Sequence, residues 1–223
     1  MKISILMLSY NAPKYVFESI STLRRVTETS IPYELIVVDN DSRWPTRRLV
    51  QHLYKKGMID KLCLNDENQL FAKGNNTASA LAADDSTHYL LLNSDVHIYD
   101  SKWLDKLVEL MPEEGGISSF GAVLTEPIRA DGYCMLIDRE LYDTYKLDED
   151  FQWWWSVTKL EAQVLKDGHG INAVKNHENI IHHYGGKSGK GFKNAKNLNV
   201  DMNMVKSWFE EGSDRMAVID SIE

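Results

Sequence analysis

The segment Tyr89-Leu90-Leu91-Leu92-Asn93-Ser94-Asp95 joins an unbroken apolar run to three polar residues. Such a run, entered from the polar residues 84–87, predicts a buried strand. In an open α/β sheet, the carboxyl ends of buried strands open into the crevice that binds ligands. Asn93 and Asp95 stand at alternate positions, so both side chains can face that crevice, where a carboxylate suits Mg²⁺ or Mn²⁺. A plain turn is the alternative, since Asn and Asp favour turns.

The first half of the chain alternates between apolar runs and helical patterns. The runs predict strands and the segments between them predict helices: strands at 3–8, 33–38, 61–64 and 89–92, and helices at 13–27, 46–56 and 71–83. Unalternated apolar strands separated by helices predict a mostly parallel sheet that is covered on both faces. The second half predicts further elements: helices at 100–111, 139–145, 153–167 and 202–209, and strands at 117–124 and 132–137.

Composition predicts an ordinary globular protein, because 43% of the 223 residues are hydrophobic and 26% are charged. Cys63 and Cys134 fit no metal or redox spacing and are expected to be free thiols. The net charge of −8 argues against broad nucleic-acid binding. No apolar run approaches the roughly 18–20 residues that span a bilayer. The N-terminal apolar run is too short for a signal peptide, so we expect a cytoplasmic location with no transmembrane segment.

Four polar segments fall where predicted strands end or a predicted helix begins: Leu8-Ser9-Tyr10-Asn11, Val38-Asp39-Asn40-Asp41-Ser42, residues 67–76, and Leu92-Asn93-Ser94-Asp95-Val96. In this order and spacing they resemble the family 2 glycosyltransferases of the GT-A fold, especially their rhamnosyltransferase-like branch. The resemblance implies a Rossmann-like, mostly parallel sheet flanked by helices, with a smaller mixed region on the acceptor side. It also implies these parts: one domain at 1–190, divided into a nucleotide-sugar half at 1–98 and an acceptor half at 99–190, and a lysine-rich segment with a short helix at 191–223.

The resemblance implies a donor site built from these segments. Backbone around Ser9 and Tyr10, with the Asp39 carboxylate, would hold the base of a nucleotide-diphosphate sugar. UDP or dTDP donors are favoured, since Asp can accept from the imide N–H of uracil or thymine. Asp95 would hold Mn²⁺ or Mg²⁺, with Asn93 in place of the first Asp of the commoner motif. The remaining residues implied in donor binding are Asn11, Asp41, Ser42, Asn68, Lys73, Asn75 and Ser94.

Local structure offers alternatives for several of these residues. Asp39 and Asp41 could be turn residues at a strand end, and Asn68 and Asn75 could cap a helix. Lys73 could be a solvated helix residue. If the family role holds, Lys73 and Asn75 would face the diphosphate at a helix N-terminus, which favours anions.

A pair of histidines precedes two glycines in His182-His183-Tyr184-Gly185-Gly186-Lys187-Ser188. This stretch resembles the family's late His-x-Gly-Gly-x-Ser, which aligns His183 with a metal ligand, and His182 is the alternative. Lys187 and the lysines after it would either clamp phosphates or belong to a solvated tail. These later lysines are Lys190, Lys193 and Lys196.

The acceptor half departs from the family at its general base. Residues 131–137 and 148–151 resemble the family's acceptor strand and the approach to its acceptor helix, but the family's Glu-Asp pair falls on Ser156 and Val157. Neither residue can deprotonate a hydroxyl at neutral pH. Three explanations stay open: a displaced carboxylate, a retaining reaction in which the leaving phosphate takes the proton, or a binding module without catalysis. For a displaced base, the leading candidate is Asp150, and the others are Asp131, Glu149 and Glu161.

Trp153, Trp154 and Trp155 follow one another at the predicted start of a helix. Side chains on a helix point about 100° apart, so all three indoles cannot enter one core. We expect Trp154 and Trp155 to offer flat faces to sugar rings or bases in the cleft, with packing in the core as the alternative.

The functional prediction is a metal-dependent glycosyltransferase, with an inverting outcome favoured over a retaining one. The acceptor would be a hydroxyl on a glycan, a lipid-linked sugar or another cytosolic molecule, and a nucleic-acid base is a less favoured acceptor. A nucleotide-sugar-binding module is the rival class. A nucleotidylyltransferase is disfavoured because residues 9–13 lack the Gly-rich, basic loop of that class.

Overall fold

An eight-stranded sheet runs through the centre of the protein, seen in a computed structural model that describes residues 1–187 and 199–222. Within these residues the strands are β1 (Ile3–Ser9), β2 (Tyr33–Asp39), β3 (Lys61–Leu64), β4 (His88–Leu92), β5 (Val96–Ile98), β6 (Gly116–Phe120), β7 (Ala122–Val123), β8 (Arg129–Ala130), β9 (Cys134–Asp138), β10 (Gly170–Asn176), β11 (Ile181–His183) and β12 (Met216–Ser221). The helices are α1 (Pro13–Val26), α2 (Trp44–Lys55), α3 (Leu70–Ser79), α4 (Trp103–Glu109), α5 (Arg139–Tyr145), α6 (Trp154–Lys166) and α7 (Met202–Trp208).

The strand order in the large sheet is β12-β10-β6-β9-β4-β1-β2-β3, and its neighbours are parallel except around β9. The register pairs Ile3 with Tyr33 on β2 and with His88 on β4, so the three strands run side by side. The chain continues from β1 to β2 and β3 on one side but returns to β4 on the other. This change of direction is a topological switch point, where open α/β sheets bind ligands.

Helices cover both faces of the sheet because successive strand residues point to opposite sides. On β1, Ile5 belongs to the core beneath α1, α2 and α4, whereas Leu6 belongs to the core beneath α3, α5 and α6. Both residues are fully buried. The predicted mostly parallel, doubly covered sheet is confirmed.

Two helices begin or end at residues other than those predicted, and in each case a side chain forms a hydrogen bond with a nearby backbone N–H. The helix predicted over 71–83 ends at Ser79, and the Ala83 N–H donates to the Glu34 carboxylate instead (2.7 Å). The helix predicted from residue 100 begins at Trp103, because the Asp100 carboxylate accepts from the Lys102 N–H (2.8 Å). Such local hydrogen bonds compete with helix formation.

The later strands were the least predictable elements. The strand predicted over 117–124 is broken at Gly121, whose φ of 105° separates β6 from β7. The short strands β5, β8 and β11 were not predicted from the sequence, and neither were β10 and β12. Because β12 pairs in parallel with β10, the segment 191–223, which was predicted as lysine-rich with a short helix, also contributes the edge strand of the main sheet. No helix among the described residues is long and apolar enough to cross a membrane.

Gly116 generates a test of this architecture. Its φ is 135°, and a Cβ there would lie 2.0 Å from the Gly170 carbonyl oxygen, where β6 meets β10. A strained backbone conformation costs about 1–3 kcal/mol. We expect Gly116→Ala to lower the free energy of unfolding by more than that, because the clash of the new Cβ with the Gly170 carbonyl oxygen adds to the strain of the positive φ. Urea denaturation measures the loss.

Gly57→Ala is the matched control. Gly57 also has a positive φ, 70°, but a Cβ there meets nothing within 4 Å. We expect this variant to lose only about 1–2 kcal/mol, the ordinary cost of a left-handed alanine. Equal losses in the two variants would contradict the close approach of β6 and β10.

Candidate functional site

A cavity of about 300 Å³ lies where β1, β2 and β4 end. The residues that follow these strands form one wall, and residues before and at the start of α6 form the other. The lining residues are Leu8, Tyr10, Asn40, Asn68, Leu70, Phe71, Asn93, Ser94, Asp95, Asp131, Gly132, Tyr133, Trp153, Trp154, Val157, His183 and Gly186. The site residues predicted from sequence that line it are Tyr10, Asn68, Asn93, Ser94, Asp95, Asp131, Trp154 and His183.

Three polar side chains converge at the end of β4. The His183 Nε2 lies 3.2 Å from the Asp95 Oδ1 and 3.2 Å from the Asn93 Nδ2. Asp95 is 7% exposed, so its carboxylate meets the cavity through a small opening. These groups come from segments 88 residues apart, and the fold brings them into direct contact.

The small antiparallel ladder of β5 and β11 decides which histidine joins Asp95. It pairs His183 with Val96 and His182 with His97. Because neighbouring strand residues point to opposite sides, His183 faces Asp95 while the His182 ring packs edge-on against Tyr184, 4.8 Å away. His182, the alternative ligand predicted from sequence, therefore lies outside the cavity lining.

The carboxylate of Asp95 is ionised at neutral pH. Burial acts to raise its pKa, but the hydrogen bond with His183 and a backbone N–H from Lys187 (3.2 Å) outweigh burial, so the pKa lies below its ordinary value. The predicted phosphate clamp Lys187 thus reaches Asp95 through its backbone, while its Nζ lies 5.9 Å from the centre of the Tyr15 ring. Lys190, Lys193 and Lys196 lie outside the described residues.

The donor set at this point fits Mn²⁺ or Mg²⁺. A carboxylate oxygen, an imidazole nitrogen and an amide group converge, and imidazole and carboxylate are ligands that Mn²⁺ accepts. The described residues hold no cluster of three or more His, Cys, Asp or Glu side chains that could enclose a metal ion alone. The remaining coordination positions would therefore fall to substrate oxygens and water.

Tyr133, which was not singled out from the sequence, stacks on His183. The two ring centres are 4.4 Å apart and nearly parallel, at 10°. Its hydroxyl is buried without a hydrogen-bond partner among the described residues, and burial raises the pKa of Tyr133 far above its ordinary value. The stacking holds the imidazole plane in one orientation toward Asp95.

The residues predicted to hold the nucleobase mostly clamp two loops together. The Asp39 carboxylate accepts from the Ser9 hydroxyl (2.9 Å) and from the Ser42 N–H (3.1 Å), and Asp39 is fully buried. The Ser42 hydroxyl in turn accepts from the Asn11 N–H (2.8 Å). Ser9, Asn11, Asp39 and Ser42 therefore lie behind the cavity wall, and Asp41 is an exposed residue with a φ of 60°.

An amide network places the loop before α3 beside the cavity. The Asn40 Nδ2 donates to the Asn68 Oδ1 (2.7 Å) and to the Leu70 carbonyl (3.1 Å), while the Asn40 Oδ1 accepts from Asn65. Leu70 has a φ of 61°, an unusual conformation for leucine that these bonds hold in place. Asn40 was quoted in the sequence motif but given no role, since its neighbours carried the charges.

Two residues predicted at the diphosphate lie elsewhere on α3. Lys73 is exposed and does not line the cavity. The Asn75 side chain is buried and donates to the Phe71 carbonyl of its own helix (2.9 Å). The N-terminus of α3 itself does reach the cavity, through Leu70 and Phe71.

On the acceptor side, the cavity wall combines Asp131 with two indoles. Trp153 and Trp154 line the cavity, and Trp154 is 45% exposed. Trp155 turns inward, is 9% exposed and lies beneath the Arg129 guanidinium. Of the two indoles expected in the cleft, Trp154 lines the cavity and Trp155 does not. The other indole in the lining is Trp153, because α6 begins only at Trp154.

The carboxylates considered as a displaced base occupy different environments. Asp131 lines the cavity and is half-buried, whereas Asp150 lies in the exposed turn before α6 and outside the cavity lining. Glu149 accepts from the Asn76 side chain (3.2 Å) on the exterior. Val157, one of the two residues where the resemblance places the family's base, packs against Gly132, and a Cβ on Gly132 would lie 2.9 Å from the Val157 methyl carbons.

Glu161 is fully buried one turn after Val157. Burial raises the pKa of Glu161 to about 8, although a hydrogen bond from the Ala130 N–H (2.8 Å) and the nearby Arg129 act in the opposite direction. The side chain also does not line the cavity, so it is not placed to take a proton from an acceptor bound there. Its contact with β8 instead fixes the strand that leads into Asp131.

Solved structures provide the first comparison. A mannosyltransferase from Pyrobaculum calidifontis, in complex with GDP-Man and Mn²⁺, superposes with a TM-score of 0.64 at 17% identity, covering 78% of this chain and 55% of that chain. TarS 1–349 of S. aureus in complex with UDP gives a TM-score of 0.59 at 18% identity, covering 74% and 55%. The chain thus spans about half the length of these neighbours, and the likeness shows the GT-A fold.

A family comparison is more specific than these structural likenesses. A search of curated protein sequences finds no match. The model of glycosyl transferase family 2 matches residues 4–169, more than half of the 223 residues, and includes β1 to β9 and α1 to α6. The rhamnosyltransferase-like branch stays a prediction. The chain belongs to glycosyltransferase family 2.

Proposed function

We propose that this protein transfers one sugar from a nucleotide-diphosphate sugar to an acceptor hydroxyl, with a divalent cation at Asp95 and His183. The observation that carries the proposal is the direct contact of these two side chains in the wall of a cavity that also holds Asp131 and two indoles. Asn93 adds an amide to the same group. When bound, the cation would supply positive charge that stabilises the departing diphosphate.

Asp131 is the carboxylate best placed to accept the acceptor's proton. It lines the acceptor side of the cavity together with the indoles of Trp153 and Trp154, whose flat faces suit a sugar ring. In the proposed step, the acceptor oxygen forms a bond to the anomeric carbon. The bond from that carbon to the diphosphate breaks, and the acceptor proton passes to Asp131. This step inverts the anomeric centre.

The donor's base would lie between Tyr10 and the amides of Asn40 and Asn68, which line the donor side of the cavity. The preference for UDP or dTDP was predicted from Asp39, whose two carboxylate oxygens already accept hydrogen bonds within the protein. The amide groups of Asn40 and the Asn68 Oδ1 already have partners among the described residues, which leaves the Asn68 Nδ2 to donate to an acceptor of either a pyrimidine or a purine. The comparison of uridine and guanosine diphosphates therefore tests Asp39 directly.

The cation site predicts a difference between two adjacent histidines. We expect His183→Ala and Asp95→Ala each to weaken Mn²⁺-dependent binding of a nucleoside diphosphate by at least about tenfold, because each removes a direct ligand. Calorimetric titration of UDP with and without Mn²⁺ measures the effect.

His182→Ala is the matched control, since this imidazole lies on the other side of the same ladder. It should bind UDP with Mn²⁺ as the unmodified protein does. Equal losses of Mn²⁺-dependent UDP affinity in His182→Ala and His183→Ala would contradict the assignment of the cation to Asp95 and His183.

The base assignment predicts a loss of turnover without a loss of donor binding. We expect Asp131→Asn to lower the transfer rate by about 10²–10⁴-fold, the usual contribution of general-base catalysis. Donor affinity should stay unchanged, because the amide keeps the size of the carboxylate. The readout is product formation from a panel of nucleotide sugars and acceptors, with the product anomer assigned by NMR.

Asp150→Asn serves as the control, because Asp150 lies outside the cavity lining. Loss of turnover in Asp150→Asn but not in Asp131→Asn would identify Asp150, in the turn before α6, as the base. If the product keeps the donor's anomeric configuration and both variants turn over at near-normal rates, the leaving phosphate, and not a carboxylate, accepts the acceptor's proton. Tight donor binding without any turnover in the unmodified protein would identify a binding module.

The donor preference is tested by titrating UDP and GDP, each with Mn²⁺, into the unmodified protein and into Asp39→Ala. If Asp39 contacts the base, UDP should bind more tightly, and the variant should lose about 1–3 kcal/mol of UDP binding free energy, as expected for an unpaired buried partner. Equal affinities for UDP and GDP would indicate that Asp39 does not contact the base and only holds Ser9 and Ser42 in place. A thermal unfolding measurement on the variant separates loss of the clamp from loss of the base contact.

A further inference from the structure

Two of the three helices that cover one face of the sheet, α1 and α2, are far more basic than the rest of the protein. Residues 13–26, which form α1, and residues 43–56, which include α2 with its flanking residues, carry eight of the chain's 25 Lys and Arg but only one of its 33 Asp and Glu. The cations are Lys14, Arg24, Arg25, Arg43, Arg47, Arg48, Lys55 and Lys56, and the single acid is Glu18. This local excess of positive charge contrasts with the net charge of −8 for the whole chain.

Most of these cations are available to a partner. Arg24 pairs with Asp60, and Arg47 pairs with Asp66 (3.5 Å). In contrast, Arg43, Arg48 and Lys55 are exposed and form no ion pair within the part of the chain that the structure describes. On α2, Arg48 and Lys55 lie four and eleven residues after Trp44, so the three side chains share one outward stripe.

Large aromatic side chains stand exposed among these cations. Phe17 on α1 is 51% exposed, and Trp44 and Tyr54 on α2 are 70% and 47% exposed. The Arg48 guanidinium lies over the Trp44 ring, 5.9 Å from its centre. We call the exposed surface formed by Phe17, Arg43, Trp44, Arg48, Tyr54 and Lys55 the cationic face.

We propose that the cationic face docks on an anionic lipid surface. Basic side chains are attracted to anionic headgroups, and Trp, Tyr and Phe are favoured at the boundary between headgroups and acyl chains. The backbone positions of Trp44 and Tyr54 lie about 15 Å apart along the axis of α2, as given by the helical rise. That spacing suits a plane of headgroups, whereas stacking on a nucleic-acid strand needs rings that reach successive bases.

Docking in this way would bring the cavity close to the lipid surface. The loop before α1 includes the cavity residue Tyr10, and the loop before α2 includes the cavity residue Asn40. The two loops are joined by a hydrogen bond from the Arg43 N–H to the Asn11 Oδ1 (3.0 Å). Both helices therefore begin beside the cavity, and an acceptor held in the lipid headgroup layer would be near it.

The experiment is co-sedimentation of the unmodified protein with phosphatidylcholine vesicles, with and without phosphatidylglycerol, at low and high salt. We expect binding only to the anionic vesicles and its loss at high salt. The combined variant Arg43→Glu, Arg48→Glu and Lys55→Glu should lower the partition coefficient by more than about 100-fold, since each basic residue contributes about fivefold. No substrate is present, so the outcome is independent of catalysis.

The matched control reverses three lysines in or next to helices that pack on the other face of the sheet: Lys146→Glu, Lys166→Glu and Lys206→Glu. It changes the net charge equally. At about 0.1 M salt the Debye length is about 10 Å, so at that salt concentration the partition of this variant should change by less than about threefold. Trp44→Ala with Phe17→Ala should weaken binding, and Trp44→Phe should restore most of it. Circular dichroism and thermal unfolding confirm that each variant is folded.

Three results would overturn the proposal. The first is no binding of the unmodified protein to anionic vesicles. The second is an equal loss in the two triple variants, which would reduce the effect to net charge. The third is binding to a single-stranded oligonucleotide but not to vesicles, lost in the variant of the cationic face, which would assign this surface to nucleic acid.

Discussion

The parallel pairing of β1 with both β2 and β4 is the constraint on which the rest of the structure depends. Because one register aligns Ile3 with Tyr33 and with His88, the three strands run side by side in the same direction. Their carboxyl ends therefore share one edge, and the segments that follow them meet at the same cavity. The clamp between Asp39 and Ser9, and the position of Asp95, are consequences of this register.

The acceptor half is fixed to that edge by a second set of contacts. The antiparallel strand β9 joins β4 to β6, and the carbonyl of Tyr133 just before β9 accepts from the Asn93 N–H (2.8 Å). The same tyrosine stacks on His183, so one residue touches both segments that form the candidate cation site. Buried Glu161 holds β8 from the other side, which sets the position of Asp131. The donor and acceptor walls of the cavity are thus parts of one packed unit.

Much of the fold followed from the sequence because its signals are local. Unbroken apolar runs with helical segments between them identified β1 to β4 and α1 to α3, and the polar residues after each strand marked the cavity edge. Short strands such as β5 and β11 carry too few residues to show a pattern and form only because they pair with each other. Strand β12 could not be predicted for a related reason: it pairs with β10, which lies about 40 residues earlier in the chain, and the sequence between them shows little apolar periodicity.

For the site, the sequence by itself determined the residue types and their order: Asn93 and Asp95 after a buried strand, a histidine pair near two glycines, and indoles before a helix. Only the tertiary structure decided which members of these sets meet. It chose His183 over His182 through strand alternation, placed Asp131 rather than Asp150 in the cavity wall, and turned Trp155 inward. The physical reason is that side-chain direction and contacts between segments 88 residues apart are set by packing and pairing, which local patterns do not encode.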